Sequence, residues 1–427
     1  MLRVAMLSVH TCPLAPLGGW ETGGMNVYVR AVSEHLSALG LDIDVYTRRQ
    51  DPTVPTIVPF AEGARVIHID AGPAAPLHKD AILDYLPEFV AGVRRQARCD
   101  GVRYDLMHAH YWVSGAVAAL LQPRWQVPVV AMFHTLARMK NRVLTAGPER
   151  ESERRAESEQ RTMLLADRIV AATAADRRQM LEHYRLPPGK ISVVPGGVDL
   201  ERFRPHDQAA ARRALGLRGR KVLLFVGRIQ RLKGIDLLLR AAARLVADDP
   251  ALAAELQVLI VGGRPPEHGA SPESQELRRL RRLAARLGIA ERVEFVGAVD
   301  QARLPLYYAA ADATVIPSLY ESFGLVAVES LACGTPVVAA RVGGLASTIQ
   351  DGQTGYLIPW PDPALYAERL GALLGDAALR QRLGANGVCA AARYDWAQVA
   401  EEIYGIYCGL VRCERRVAGT TAAPARR

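Results

Sequence analysis

A chain of 427 residues exceeds what one ordinary hydrophobic core spans and points to two domains of about 200 residues each. Half of its residues are hydrophobic and 23% are charged, which excludes a disordered chain, and no run of about 20 uninterrupted apolar residues supports a spanning helix. The formal net charge of +9 is carried by arginines spread over many helical stretches, which argues against nucleic acid as a partner and leaves an anionic membrane surface or phosphorylated small molecules as the anions to match.

The chain opens on Met-Leu-Arg-Val-Ala-Met-Leu-Ser-Val, an apolar run without the basic flank, longer apolar core and small-residue cleavage site of a signal peptide. It reads as the first buried strand, and a cytoplasmic location is expected. Six scattered cysteines with no close metal-ligand pairs read as reduced thiols. From there apolar strand, Gly-rich loop and amphipathic helix alternate. Residues 4–9 read as a strand, Gly18, Gly19, Gly23 and Gly24 as a loop, and 25–39 as a helix. Further strands are expected at 42–47, 64–69, 105–108, 128–133, 168–171 and 191–195, with helical segments between most of them. That alternation predicts a parallel sheet covered on both faces.

A turn-rich joint over 195–205 provides a hinge, and the pattern restarts at 221–226, then at 256–261, 293–296, 313–316 and 336–339. The expected fold class is α/β: two doubly wound, Rossmann-like domains, residues 1–200 and 201–394, facing a central cleft. A helix over about 395–412 is expected to pack back on the first domain, with 413–427 a disordered tail. Ligands of such sheets gather at the carboxyl ends of the strands and in clefts between domains.

Two elements of the second domain carry chemistry. Gly227-Arg-Ile-Gln-Arg-Leu-Lys-Gly234 follows a buried strand and precedes a helix, so Arg228 and Lys233 stand at the mouth of the sheet beside a helix N-terminus. A forked guanidinium and a point charge together suit a diphosphate; the bland alternative is a basic surface turn. Downstream, Pro317-Ser-Leu-Tyr-Glu-Ser-Phe-Gly-Leu-Val-Ala-Val-Glu329 is a loop running through Gly324 into a helix. Backbone N–H groups near Phe323, Gly324 and Leu325 are placed to receive an anion or hydroxyls. Glu329 falls one turn inside, on an otherwise apolar face, and an unpaired carboxylate there is costly. Ribose hydroxyls would pair it, whereas an exposed Glu329 beside a capping Glu321 leaves the apolar surroundings unexplained.

The Gly-Arg…Lys-Gly element and the Glu-x7-Glu spacing of Glu321 and Glu329 resemble the retaining GT-B glycosyltransferases that use nucleotide sugars. The resemblance implies that Arg228 and Lys233 neutralise the leaving diphosphate, that Glu321 lies at the donor sugar and that Glu329 binds ribose hydroxyls. Val299, at the end of a strand–loop segment, falls where that family's backbone contacts the base.

In the first half, Gly23-Gly-Met-Asn-Val-Tyr-Val29 opens a helix, and its two glycines let the backbone approach a ligand. His108-Ala-His-Tyr-Trp112, Phe133-His-Thr-Leu-Ala137 and Glu151-Ser-Glu-Arg-Arg155 each fall in a loop after a strand or at a helix start, so all can face one cleft. His134 is favoured as a site residue because it ends a strongly apolar strand. Over residues 1–410 the chain resembles, within the same family, the inositol-phosphate N-acetylglucosaminyltransferases of mycothiol synthesis. That resemblance implies that His10, Asn26, Lys79, Tyr111, Thr135 and Arg155 hold a phosphorylated acceptor, the last four gripping its phosphate. It places Gly24 against the donor diphosphate and His134 near the transferred sugar, so that His134, Glu321, Arg228 and Lys233 form the expected catalytic set.

The resemblance further implies a UDP-sugar as donor, N-acetylglucosamine as the moved sugar, 1D-myo-inositol 3-phosphate as acceptor, and no cofactor for the chemistry. Residues 15–22, Ala-Pro-Leu-Gly-Gly-Trp-Glu-Thr, depart from the family's Gln-rich stretch in a loop that borders both substrates. Fructose 6-phosphate, as in the sucrose-phosphate synthase relatives, and a lipid acceptor therefore stay open. No Asp-x-Asp of the metal-carrying kind is seen, and whether Mg2+ takes part is left open, as is a homodimer. Membrane association is not expected, because no amphipathic basic–aromatic patch lies near the first-domain loops. The different classes to set against this reading are an acceptor-independent nucleotide-sugar epimerase and a sugar-nucleotide-binding protein without catalysis.

Overall fold

The protein is described here from a computed structural model, which covers residues 2–17, 22–144, 149–217, 221–263 and 274–420, with side chains to 411. The first sheet comprises β1 (Arg3–Leu7), β2 (Asp42–Arg48), β3 (Ile57–Ala61), β4 (Ala64–Ile69), β5 (Leu106–His110), β6 (Val129–Met132), β7 (Arg168–Ala171) and β8 (Ile191–Val193), in the order β3-β4-β2-β1-β5-β6-β7-β8. The second comprises β9 (Lys221–Val226), β10 (Leu256–Val261), β11 (Val293–Gly297), β12 (Ala313–Ile316), β13 (Val337–Ala340) and β14 (Gly355–Ile358), in the order β11-β10-β9-β12-β13-β14.

The central strands are largely apolar because both faces are covered, as in Val4–Leu7 of β1 and Val222–Val226 of β9. Side chains alternate across a strand with period two, so Val4 and Met6 of β1 join Val29, Val32 and Leu36 of the helix Gly24–Ala38, while Ala5 and Leu7 join Val113 and Val117 of the helix Tyr111–Trp125. Each such aliphatic side chain taken fully out of water contributes about 1.5–3 kcal/mol.

Two edge strands depart from expectation. β3 pairs antiparallel with β4 in a hairpin that no alternation announced, because Pro59 interrupts its pattern; proline is tolerated there since β3 is an edge. β14 is a four-residue edge strand pairing with β13.

The chain order reverses at β1/β5 in the first sheet and at β9/β12 in the second, and these switch points are where loops diverge and leave a crevice. A last helix, Trp396–Thr420, returns to the first sheet: Trp396 meets Tyr28 edge-on at 5.4 Å between ring centroids, and Tyr407 Oη bonds His108 Nδ1 at 2.6 Å. This helix runs to Thr420. Residues 421–427 lie outside the described residues. No helix among the described residues is long and apolar enough to cross a membrane.

Candidate functional site

The loops leaving both switch points line one cleft of about 1550 Å³ between the two sheets. On the second-sheet wall, β9 ends at Val226, a short turn Arg231–Lys233 follows, and Gly234, in the left-handed region at φ 64, starts the helix Ile235–Asp248. Ile235, Leu238, Leu239, Ala242 and Leu245 pack that helix on the sheet and so fix the basic turn at its head. Lys233 Nζ donates to Glu321 Oε2 at 2.6 Å, both side chains being 20% exposed. Among the described residues no carboxylate forms an ion pair with Arg228 (compare the pairs of Lys233 and Arg155). Its guanidinium lies against the opposite wall: a methyl group added at Gly23 would stand 3.7 Å from Arg228 Nε.

Gly324 adopts φ 89 and caps the helix Leu325–Ala332, and a Cβ there would come within 2.7 Å of Leu345 Cδ2. Phe323, Gly324, Leu325 and Val326 thereby face the cleft with their backbone at a helix N-terminus. A methyl on Gly24 would lie 3.2 Å from Leu325 Cδ1, so the glycine turn of one wall is pressed against the helix start of the other.

Glu329 and Val299 do not line this cleft. Glu329 is buried behind it and accepts a hydrogen bond from Tyr308 Oη at 2.6 Å; burial pushes its carboxyl up to about 7. Val299 packs on the core, while Phe295 and Gly297 of β11 reach the cleft.

On the first-sheet wall, two strand-to-helix corners hold non-glycine residues in the left-handed region: Tyr111 at φ 75 after β5 and His134 at φ 60 after β6. Such conformations cost roughly 1–3 kcal/mol and persist where surrounding contacts over-determine them. Tyr111 is held by Arg155, which donates from Nη1 to its hydroxyl at 2.7 Å and places its guanidinium 4.6 Å from the ring centroid. His134 Nε2 meets His110 Nδ1 at 3.1 Å, and its ring lies edge-on to Tyr28.

Arg155 is wholly buried. It donates to Thr135 O at 2.8 Å and Thr135 Oγ1 at 3.0 Å, and pairs with Glu159 at 2.7 Å and Glu151 at 2.8 Å. Glu151 also receives Lys79 Nζ at 2.6 Å and the ammonium of Lys140. Burial works to raise the Glu151 carboxyl, but Arg155, Lys140 and Lys79 outweigh it and hold the group far below the usual carboxylate range.

Lys79, Tyr111, Thr135 and Arg155 are thus brought to one place, with His10 stacked on Tyr111 at 4.5 Å between ring centroids. Burial foremost, then Lys79, lowers His10 to about 3, and burial alone lowers His134 to about 3, so both are neutral imidazoles at ordinary pH. Asn26 stands apart from the cleft lining: it accepts from Gly23 N at 2.9 Å and donates to Thr11 Oγ1 and Cys12 O, fixing the glycine turn. His108 and His110 lie inside β5, fully buried, not in the loop that the sequence pattern suggested.

Several residues escaped the sequence reading. Lys140 belongs to the cationic cluster; Glu149 accepts from the backbone N–H groups of Arg231 at 2.9 Å and Leu232 at 3.2 Å, tying the walls together; Ser322 Oγ donates to the buried Asp176. Lysine is rare in the chain, at 79, 140, 190, 221 and 233, and that rarity is the signal that could have marked Lys140. One Asp-x-Asp does occur, Asp42-Ile-Asp44 in β2, but Asp44 is taken by Arg3, Arg65 and Tyr104 and lies off the cleft. Among the described residues no group of three or more His, Cys, Asp or Glu is placed to hold a metal ion. Of the divergent stretch 15–22, residues 18–21 lie outside the described residues.

Two protein-family models match the chain, Glycosyltransferase Family 4 over residues 22–202 and Glycosyl transferases group 1 over residues 207–388. The sequence is similar to the D-inositol 3-phosphate glycosyltransferase of Geodermatophilus obscurus, 45% identical across 99% of this chain and 94% of the relative. It is equally similar, at 45% across 95% and 94%, to D-inositol 3-phosphate glycosyltransferase 2 of Catenulispora acidiphila. The structure is similar to sucrose-phosphate synthase from Thermosynechococcus elongatus, with TM-score 0.88 at 32% identity over 97% of this chain and 100% of that one. Anabaena HepE in complex with UDP-glucose shares the fold, with TM-score 0.74 at 20% identity over 96% and 100%.

Proposed function

The chain belongs to the retaining family 4 glycosyltransferases of GT-B fold, and from that premise we propose that it transfers N-acetylglucosamine from its UDP-sugar to 1D-myo-inositol 3-phosphate. The observation that carries this reading is the meeting of Lys79, Tyr111, Thr135 and Arg155 at one spot, across the cleft from Arg228 and Lys233. A phosphorylated acceptor fits the first group and a diphosphate leaving group the second. The names of the two D-inositol 3-phosphate glycosyltransferases support the same acceptor.

Transfer with retention is the reaction of the family, and this arrangement supports it. The bond from the anomeric carbon to the diphosphate oxygen breaks as an acceptor hydroxyl forms its bond on the same face, and the hydroxyl proton passes to the departing phosphate oxygen. Negative charge grows on the diphosphate, where Arg228, Lys233 and the N–H groups at the Leu325–Ala332 helix start receive it, an electrostatic role of the oxyanion-hole kind. Glu321 holds Lys233 in place and orients the donor sugar; it need not form a covalent bond. His134, neutral and fixed by His110, offers the sugar a hydrogen bond but no charge. No cofactor enters these steps.

A second reading has its own support. The structural likeness to sucrose-phosphate synthase is strong, and the cationic cluster addresses a phosphate rather than the ring that bears it, so glucose transfer to fructose 6-phosphate is the competitor. Mass spectrometry of reactions pairing UDP-N-acetylglucosamine or UDP-glucose with inositol 3-phosphate or fructose 6-phosphate separates them. Glycosylated inositol phosphate is the expected product. Sucrose phosphate with no inositol product would overturn the assignment, and sugar released or inverted with no acceptor present would point to hydrolysis or epimerisation.

A further inference from the structure

Resting on the reading that a phosphorylated acceptor binds this wall, we propose that the Glu151 carboxylate occupies the phosphate's own position in the empty enzyme and that the incoming phosphate displaces it from Lys79, Lys140 and Arg155. Lys140 then becomes a phosphate ligand alongside Lys79, and Glu151 a gate on acceptor affinity.

The two carboxylates of the cluster are bound in different ways. Glu159 is locked: it accepts the Ala137 N–H at 3.0–3.1 Å with both oxygens, takes the Tyr184 hydroxyl, and pairs with Arg155 Nε. The Glu151 carboxylate, by contrast, has among the described residues only the three cations as partners, and it lies at the cleft surface with Lys79 and Lys140. Its backbone is anchored independently, since Asn141 Oδ1 accepts from Glu151 N at 2.8 Å and Asn141 Nδ2 donates to Glu151 O at 2.9 Å. Rotation of the side chain alone therefore clears the pocket without moving the loop.

Charge decides the direction. Three cations face two carboxylates, which leaves one unit of positive charge for a ligand. A phosphate dianion beside an unmoved Glu151 would leave the buried cluster net negative, with two anions sharing the same donors. With Glu151 withdrawn, the dianion and Glu159 balance the three cations. Neutral His10, stacked on Tyr111, adds no charge to either state. The phosphate gains what the carboxylate lacks, a third oxygen to reach the hydroxyls of Tyr111 and Thr135.

An internal anion that holds a site roughly nine-tenths of the time weakens apparent binding about tenfold. Glu151→Gln in the full chain is therefore expected to lower the KM for inositol 3-phosphate, and the inhibition constant for inorganic phosphate competing with it, by about tenfold, with UDP affinity unchanged. Glu151→Asp, too short to span all three cations, should shift both constants the same way by less. Lys140→Met should raise both. If Glu151 merely positions the lysines, Glu151→Gln raises or leaves both constants, and the proposal is overturned. Should Glu151→Gln fail to fold, judged by lost UDP binding, the sign of the Glu151→Asp shift decides alone. Wild-type enzyme that uses myo-inositol as readily as inositol 3-phosphate, with no competition from phosphate, would instead refute the acceptor reading beneath it.

Discussion

On the donor wall Lys233 and Glu321 meet as a single pair, each a fifth exposed, and Arg228 lies beside the glycine turn at Gly23. On the acceptor wall Arg155 and Glu159 are fully buried, Glu151 nearly so, and every hydrogen-bonding arm of the guanidinium is spoken for. The difference follows from the two tasks. A leaving diphosphate gains charge during the reaction and then departs, so its cations must be reachable and free to re-pair in every turnover. The acceptor phosphate keeps its charge throughout, so the Arg155–Glu159 frame beneath it works best fixed, with burial strengthening each contact in that frame, and only the Glu151 side chain has to re-pair.

The contrast predicts that the acceptor wall is the more structural of the two. Arg155→Ala would strand Glu159 and Glu151 in a buried site, and removal of one partner from such a cluster costs about 3–5 kcal/mol. Urea unfolding should show a loss of that order, and the variant that folds should lose phosphorylated acceptor far more than UDP. An equal loss for both ligands breaks the assignment of the two walls. The donor cations should behave in the opposite way. Arg228→Ala and Lys233→Ala are expected to leave the unfolding midpoint nearly unchanged while turnover falls on the order of 10²-fold or more, as for loss of one charge-stabilising donor. Near-normal kcat in both variants would remove the leaving group from that wall.

How much of this contrast the sequence carried depends on range. Buried strands such as Lys221–Val226 announce themselves because both faces need apolar residues, and Arg228, Tyr111 and His134 were legible as residues placed just past a strand's end. The hairpin strand with Pro59 and the short β14 were not, since an edge strand needs no continuous apolar pattern. Partners distant in the chain were harder still. The alternation His108-Ala-His110 reads as a polar loop until the last helix covers it, 299 residues away at Tyr407. Glu329 looked short of a partner in the sequence, yet Tyr308 provides one, and nothing local told that Lys140 and Lys79 converge on Glu151.

Beneath the donor loop two buried carboxyls give the comparison a pH axis. Burial raises Asp176 from 3.8 to about 7 and Glu329 from 4.5 to about 7, in each case against the help of one hydroxyl donor, Ser322 or Tyr308. In both the folded state holds its proton more tightly than the unfolded chain. Their contribution is complete below the unfolded values and is lost as pH rises towards 7, then levels off. Thermal midpoints should therefore decline between about pH 4 and pH 7, each group accounting for at most roughly 3–4 kcal/mol. Asp176→Asn should flatten part of the slope and Asp176→Asn with Glu329→Gln most of it. A decline that survives the double variant would assign it elsewhere, and the acceptor cluster, whose Glu151 carboxyl is lowered, predicts the opposite trend, a loss only on acidification.

The smallest effect belongs to the contact that joins the last helix to the first sheet. Tyr407 Oη is the only partner of the His108 ring among the described residues, since His108 Nε2 has none, and the ring stacks on His110 at 4.1 Å between centroids. Tyr407→Phe keeps the packing but leaves one more buried nitrogen unsatisfied, a cost of about 1–2 kcal/mol. Because His110 in turn holds His134 at 3.1 Å, the loss should reach the cleft as a few-fold drop in kcat with acceptor KM unmoved. A KM rise comparable to that of Arg155→Ala would mean that the helix supports the acceptor wall directly, and the two walls would then be less separable than their ion pairs suggest.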